Sequence, residues 1–359
     1  MVYRLVVRAA AVAVLFPIAA TAQTPAGTIT LPPVIVTAQK EPADLQRLPL
    51  SATGVLKDTI QGAGIRIASE AALLAPNVHF TEFSARKLSN IRMRGIGSSP
   101  GNPGVTTFID GVPQLNDNTS RFDFLDVERI EFVRGPQSAL FGRNTLGGLV
   151  NVVTERPSLQ QWSGSFVAPF GNYGSSDLRG TAAGPLGDKV AVGFSLGHSE
   201  RDGFTTNAVT GNHLDSRSGT VFKAQARFAP RADWEGRVIV SGARARDGDY
   251  ALNDLGALRN TPFQAARDFE GRTDGDVLST TVLLRREGRR LTLSSTTGVV
   301  SWKTEDLTDL DYTPLPLLTR QNLEEAIQFT QEVRLASAAN APVRLSDAAV
   351  LRWQAGVFF

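Results

Sequence analysis

The stretch "RSGTVFKAQARFA" (217–229) alternates strictly through its second half. Phe222, Ala224, Ala226 and Phe228 fall on one face, and Lys223, Gln225 and Arg227 on the other. A period of two is the side-chain period of a β-strand, so this is a strand with one apolar and one strongly polar face. Further strands are expected at 162–170, 176–185, 188–200, 233–246, 274–286, 289–303, 325–336 and 349–359. In the segment 325–336, Ile327, Phe329, Val333 and Leu335 oppose Gln328, Thr330, Glu332 and Arg334. In the last, Leu351, Trp353, Ala355, Val357 and Phe359 oppose Arg352, Gln354 and Gly356. The apolar faces must meet either a second sheet or lipid.

The connections separate these options. "PLGD" (185–188), "APRAD" (229–233) and "EGRR" (287–290) are tight, whereas the alternate connections, 201–216, 247–273 and 304–324, are long and polar. Short turns at one end and long loops at the other mark an outer-membrane barrel. A soluble sandwich shows no such regularity, and its strands are mostly shorter. Trp162, Trp234 and Trp353 suit interfacial girdles, although singly they also fit a core. Nine strands is an odd number, and an open edge in lipid leaves backbone groups unpaired. Nine strands are also too few to enclose the domain that precedes them. The expectation is therefore the N-terminal part of a larger barrel.

Composition agrees with an exported chain. Arg4 and Arg8 precede an apolar run, Ala9 to Ala20, and Ala20-Thr21-Ala22 supplies a cleavage site, so residues 1–22 read as a signal peptide. The 359 residues include no cysteine, so the fold is held by its core or by a membrane rather than by disulfides. With 37 basic and 35 acidic residues there is no nucleic-acid footprint. No later run is long and apolar enough for a spanning helix, which leaves barrels open.

Ahead of residue 160 the pattern is α+β. "LKDTIQGAGI" (56–65) and "IASEAALLAPNV" (67–78) read as short helices. "NIRMRGIG" (90–97), "TTFIDGVPQ" (106–114), "VERIEFVRG" (127–135) and "LVNVVTERP" (149–157) read as strands between Gly, Pro and Asn turns. Catalysis finds no support. His79, His198 and His213 lack metal-ligand spacing, "GRNTLGG" (142–148) is no P-loop, and no thiol exists.

Several motifs resemble those of the TonB-dependent outer-membrane receptors. They are "VIVTA" (34–38) with the following "QK", "IRMRGIG" (91–97), "FIDGVP" (108–113), "VERIEFVRGPQSALFGRNTLGGLVNVVTERP" (127–157) and "FTQEVRLAS" (329–337). The resemblance implies an α+β plug domain followed by an incomplete antiparallel transmembrane β-barrel. It divides the chain into a signal peptide (1–22), a TonB box and linker (23–48), a plug (49–160) and the first part of the barrel (161–359). The implied activity is energised uptake of a ferric siderophore, with cobalamin, haem or oligosaccharide as other ligands and no cofactor or resident metal. The implied place is the outer membrane of a Gram-negative bacterium, in contact with its lipid, with the box in the periplasm. A passive porin would need no plug. A truncated, non-transporting remnant remains an alternative, and a signalling receptor would need a further domain ahead of the box.

The resemblance also implies roles for residues. Val34, Ile35, Val36, Thr37 and Ala38 would engage TonB and its inner-membrane complex. A lone strand is unstable in water, and such a segment can add to the sheet edge of a partner. Pro32 and Pro33 discourage helix and internal pairing. Arg94, Arg129 and Arg134 would face the polar wall, and Arg94 or Arg134 is expected to pair with Glu332, unless all three arginines are solvated locally. The ligand-facing plug loops are expected at 98–104 and 114–122, with Ser98, Ser99, Asn102, Gln114, Asn116 and Arg121.

Overall fold

A computed structural model describes residues 33–37, 39–81, 86, 89–97, 103–338, 341–346 and 349–359. The expected signal peptide, and Ala38, Ser98, Ser99 and Asn102 of the expected sites, lie outside the described residues. The first elements are β1 (Ile35–Val36), β2 (Ala43–Asp44), β3 (Ser51–Leu56), α1 (Lys57–Gly62), α2 (Ala68–Ala72), β4 (Val78–Thr81), β5 (Asn90–Met93) and β6 (Ile96–Gly97). They continue with β7 (Val105–Ile109), β8 (Val112–Gln114), β9 (Val127–Arg134), α3 (Ser138–Phe141) and β10 (Gly148–Thr154). A five-stranded sheet runs β3-β9-β10-β7-β8, with β10 parallel to β7 and its other pairings antiparallel.

Both faces of this sheet are apolar, which is why its strands read as near-continuous hydrophobic runs. On one face Ile130, Phe132, Val150 and Val152 pack with Ile60 of α1, Ala71 of α2 and Met93 of β5. On the other, Phe108, Val133 and Leu149 pack around Val36 of β1, with Val34, Leu45 and Leu48 half-buried beside them. The sheet thus has a core of its own and a second core completed by the N-terminal segment.

The remaining elements are β11 (Ser163–Val167), β12 (Ser176–Gly187), β13 (Val190–Arg201), β14 (Thr206–Asn207), β15 (Arg217–Arg231), β16 (Trp234–Gly248), α4 (Leu255–Asn260) and β17 (Gln264–Ala265). After them come β18 (Arg272–Glu287), β19 (Leu291–Asp309), β20 (Thr319–Ser337), β21 (Val343–Ser346), β22 (Ala349–Leu351) and β23 (Gln354–Phe358). Nine of these make one antiparallel sheet in the order β11-β12-β13-β15-β16-β18-β19-β20-β23. Two expectations change. The third long loop shrinks to 310–318, because the β19–β20 ladder continues as far as Asp309↔Thr319. Each of those strands has 19 residues, against the roughly 9–11 that cross a bilayer, so their polar ends are paired beyond the reach of any lipid-dictated alternation. The segment 349–359 also splits, its start pairing with β21 in a small hairpin and only β23 joining the large sheet.

The two faces of the large sheet are inverted relative to a soluble protein. Lys223 is 4% exposed and Gln225 6%, while Phe222 and Phe228 on either side of them are 41% and 51% exposed. In β20, Gln328 and Thr330 are buried while Ile327 and Phe329 are exposed. The buried polar face grips the plug. Lys223 Nζ donates to Leu125 O at 3.0 Å, Gln225 Nε2 to Glu155 O at 3.0 Å, and Gln328 Nε2 to Pro113 O at 2.6 Å while its Oε1 accepts from Leu115 N. Gly298 of β19 allows the closest approach, since a Cβ there would lie 2.5 Å from Val112 Cγ1.

If the outer face meets lipid, Ile327→Arg near the middle of β20 will cost about 2–4 kcal/mol of folding stability in a bilayer. An arginine on a water-exposed face would change stability by less than about 0.5 kcal/mol. Denaturant titration of the chain in lipid vesicles measures the difference.

Candidate functional site

The N-terminal segment is docked on the plug. β1 pairs antiparallel with β2, Ile35 opposite Asp44 and Val36 opposite Ala43, so the expected lone strand already has a partner within its own chain. Between them the chain turns back along itself, with Lys40 N donating to Thr37 O at 2.8 Å. Val36 is fully buried in the second core. Gly54 of β3 makes room for it, since a Cβ there would lie 3.1 Å from Val34 Cγ1 and 3.5 Å from Val36 Cγ1. Beside this apolar knob, Thr37 N donates to Glu131 Oε1 at 2.9 Å. Glu131 is fully buried and also accepts from Arg129 Nε at 2.7 Å and from Asn151 Nδ2 at 3.1 Å. Asn151 donates to Thr37 Oγ1 as well, at 3.0 Å. A buried carboxylate is tolerated when charge and hydrogen bonds satisfy it together. Here the N-terminal segment supplies part of that set.

Just beyond, the chain is clipped to the wall. Lys40 Nζ lies 2.6 Å from Glu332 Oε2 of β20 and 4.5 Å from the centroid of the Phe141 ring. Burial pulls the Lys40 ammonium below its ordinary pKa, while Glu332 works in the opposite sense. Glu41 bridges Arg285 of β18 and Arg334 of β20, each at 2.9 Å. Gln354 Nε2 of β23 donates to Gln39 O at 3.3 Å. Residues 39–41 are therefore tied to three strands of the wall.

The expected pairing of Arg94 or Arg134 with Glu332 is corrected by this arrangement. Arg134 donates instead to Ser51 Oγ, Thr53 Oγ1 and Pro76 O at 3.0, 2.8 and 3.0 Å. Burial lowers its pKa, and the positive charge of Arg94 lowers it further. Arg94 and Arg134 sit together on the plug, and the cations that reach Glu332 are Lys40 at 2.6 Å and, more distantly, Arg334 at 3.9 Å. Arg129, likewise expected to face the wall, pairs with Glu128 and Glu131 within the plug.

The expected ligand-facing residues also divide. Gln114 is 3% exposed and bonds to Val112 O, so it sits in the plug–wall packing rather than at a ligand surface. Asn116 caps a short 3-10 turn by accepting from Asn118 N. Arg121 donates to Arg86 O and borders a cavity of about 140 Å³ between the plug and β12, β13 and β15. Above the wall, the long connections fold on one another. β14 and β17 pair in parallel across two of them. Arg267, fully buried, bonds Asp249 at 3.2 Å and lies over the ring of Tyr312 from the third. Burial pushes the neighbouring Tyr250 phenol up to about 12, with Asp306 adding to the effect. Among the described residues no group of three or more His, Cys, Asp or Glu side chains is arranged to hold a metal.

Comparison with known proteins places this architecture. Residues 44–149 match the family model of the TonB-dependent receptor plug domain. The pesticin receptor of Yersinia pestis is 29% identical over 202 residues, which cover 55% of this chain and 30% of that receptor. The vitamin B12 transporter BtuB of Vibrio vulnificus is 26% identical over 198 residues, covering 53% and 31%. Among solved structures, the ferric yersiniabactin uptake receptor FyuA of Yersinia pestis superposes with a TM-score of 0.72 at 22% identity, over 86% of this chain and 48% of that one. The ferric-catecholate import receptor Fiu of E. coli K12 gives 0.69 at 16%, over 91% and 52%. The chain thus spans about half the length of these structures and under a third of the curated relatives. Residues 44–149 are thus a TonB-dependent receptor plug domain, and the antiparallel sheet behind it has the fold of part of the barrel of such receptors.

Proposed function

We propose that this chain contributes the plug and the first barrel strands of an energy-coupled receptor that imports a ferric siderophore, or a ligand of similar size and scarcity, across the outer membrane. On this reading residues 1–22 are the export signal, 23–48 the coupling segment and linker, 49–160 the plug and 161–359 wall. The long connections lie outside the cell and the tight turns, with the coupling segment, in the periplasm.

The observation that carries the proposal is the docked state of Val36 and Thr37. A segment whose only task was structural would have no reason to present a β-strand on a plug that could be packed by any apolar residue. Here β1 holds only a two-residue ladder with β2, so little hydrogen bonding is lost when it leaves. A partner strand from TonB can replace that ladder by adding along the segment, its main-chain hydrogen bonds supplying affinity. Removing β1 uncovers Val133 and Leu149 and leaves the Glu131 cluster without Thr37. The pull is thereby delivered to β9 and β10 in the middle of the plug sheet. The contacts of Lys40 and Glu41 with the wall hold the segment until that happens.

Two measurements check this reading. Val36→Pro removes a backbone donor and the buried side chain, and is expected to abolish energised uptake by the complete receptor while ligand binding persists. Unchanged uptake would contradict the coupling role. A double-mutant cycle on Lys40 and Glu332 is expected to give about 0.5–3 kcal/mol of coupling, and the same cycle on Arg134 and Glu332 none beyond about 0.3–0.5 kcal/mol.

A further inference from the structure

The three long connections, 202–216, 249–271 and 310–318, leave and rejoin the wall at paired residues. The bounding rungs are Arg201↔Arg217, Gly248↔Arg272 and Asp309↔Thr319. Connections of this kind ordinarily run over the surface and open one by one. Here the backbone of the first is bonded to that of the second, Thr206 N donating to Phe263 O at 3.0 Å and Ala208 N to Ala265 O at 2.7 Å. The second is bonded to the third, Asp268 N donating to Thr313 O at 3.4 Å.

One residue touches all three. Arg267, fully buried, donates through Nη1 to Asp249 Oδ2 at 3.2 Å and through Nη2 to Leu252 O, both in the second connection. Its guanidinium lies 4.8 Å from the centroid of the Tyr312 ring, in the third. Its backbone is held by the first, since Asn207 Oδ1 accepts from Arg267 N and Asn207 Nδ2 donates to Arg267 O, each at 3.0 Å. Asn207 is fully buried as well, and the same Nδ2 reaches Glu270 Oε1 at 3.0 Å. Glu270 also accepts from Asn212 Nδ2 at 3.0 Å, which ties the second connection to the first a second time.

This sharing sets the order of costs. A buried guanidinium is tolerated only while its partners stay in place, and removing one of them leaves an uncompensated charge. If Asp249 is pulled away, Arg267 loses its carboxylate. If the third connection lifts off, the ring that covers the cation goes with it. If the first departs, both backbone bonds of Arg267 to Asn207 are lost and buried polar groups are left unsatisfied. Each separate departure breaks the common set, whereas joint movement keeps it whole.

We propose that the three connections form one cap that opens and closes as a unit, with Arg267 as the side chain that locks it. The proposal goes beyond the receptor reading, because it concerns the cap alone and holds whatever the chain takes up. On the receptor reading its consequence is a mouth released in one step rather than loop by loop.

Hydrogen exchange of the full, ligand-free chain in detergent micelles, read on peptides from each connection, tests this. Amides bonded across the cap, those of Thr206, Ala208 and Asp268, and that of Leu310, which is bonded to Leu318 O, should be protected and exchange at a common rate. Arg267→Met keeps the side-chain length and removes the charge. It should speed exchange about tenfold or more in all three connections together, with the wall strands unchanged. Asn207→Ala should give the same pattern, and the double variant should be no faster than either single one. Arg259→Gln, at the exposed end of α4, should change nothing. Unrelated rates in the three connections of the unsubstituted chain would overturn the proposal. So would acceleration confined to 249–271, effects that add in the double variant, or the same acceleration in Arg259→Gln. A second measurement leaves the lock intact and covers the case in which its variants do not fold. Val209→Cys, Leu258→Cys and Leu317→Cys place a spin label at an exposed position of each connection. Narrow distance distributions are expected for all pairs, and a broad distribution for any pair overturns the proposal.

Discussion

The polar inner face of the nine-stranded sheet must find partners, and this constraint organises the rest of the molecule. A wall that turns phenylalanine and isoleucine outward turns polar side chains such as Lys223, Gln225, Arg237 and Gln328 inward. In a dry interior such groups are costly unless each is hydrogen-bonded or paired. The plug answers with backbone carbonyls at Pro113, Leu125 and Glu155, and with the carboxylates of Asp110 and Asp126. Because these partners are polar rather than apolar, plug and wall are held by many separable hydrogen bonds and not by one sealed hydrophobic core. Such an interface can be opened in part.

The N-terminal segment obeys the same logic on a smaller scale. Val36 supplies apolar burial, Thr37 completes the cluster around Glu131, and Lys40 and Glu41 satisfy charges of the wall. Val36, Thr37, Lys40 and Glu41 thus bear between them on both the plug and the wall. Removing one partner of a buried pair is far more costly than the pair was worth, so withdrawal of this segment alters the energetics of both bodies at once. The strand pairing that holds it is minimal, and the electrostatic ties near it weaken where water enters. In the proposed function, ready release and strong mechanical consequence are combined in one short peptide.

Much of this was legible in the sequence. Alternation along 217–229 and 325–336 revealed the wall, because lipid on one side and polar packing on the other impose a period of two. The loops were legible from their composition and length, except where β19 and β20 extend past the bilayer and polar residues pair with one another. The plug strands were legible as apolar runs. Pairings were not. Glu332 faces inward as alternation requires, but several cations lie within reach of such a position, and only the path of the N-terminal segment selects Lys40. Glu131, an acid inside the apolar run Ile130 to Val133, is the one signal in the sequence of the cluster that Thr37 completes. Gln114 shows the opposite failure, since a polar residue beside a turn is as suited to plug–wall packing as to a ligand surface. The cross-strand pair Arg201 and Arg217 depends on register, which no local pattern encodes.

The central claim is that the large sheet faces lipid with one side and the plug with the other. The chain has no cysteine, so single cysteines can be placed at successive positions of β20 and labelled with an environment-sensitive fluorophore. Quenching by brominated lipid then reports which side chains touch acyl chains. The account predicts an alternating profile, with strong quenching at Ile327→Cys and Phe329→Cys and little at Gln328→Cys and Thr330→Cys. A uniform profile, or one with the opposite phase, would contradict it.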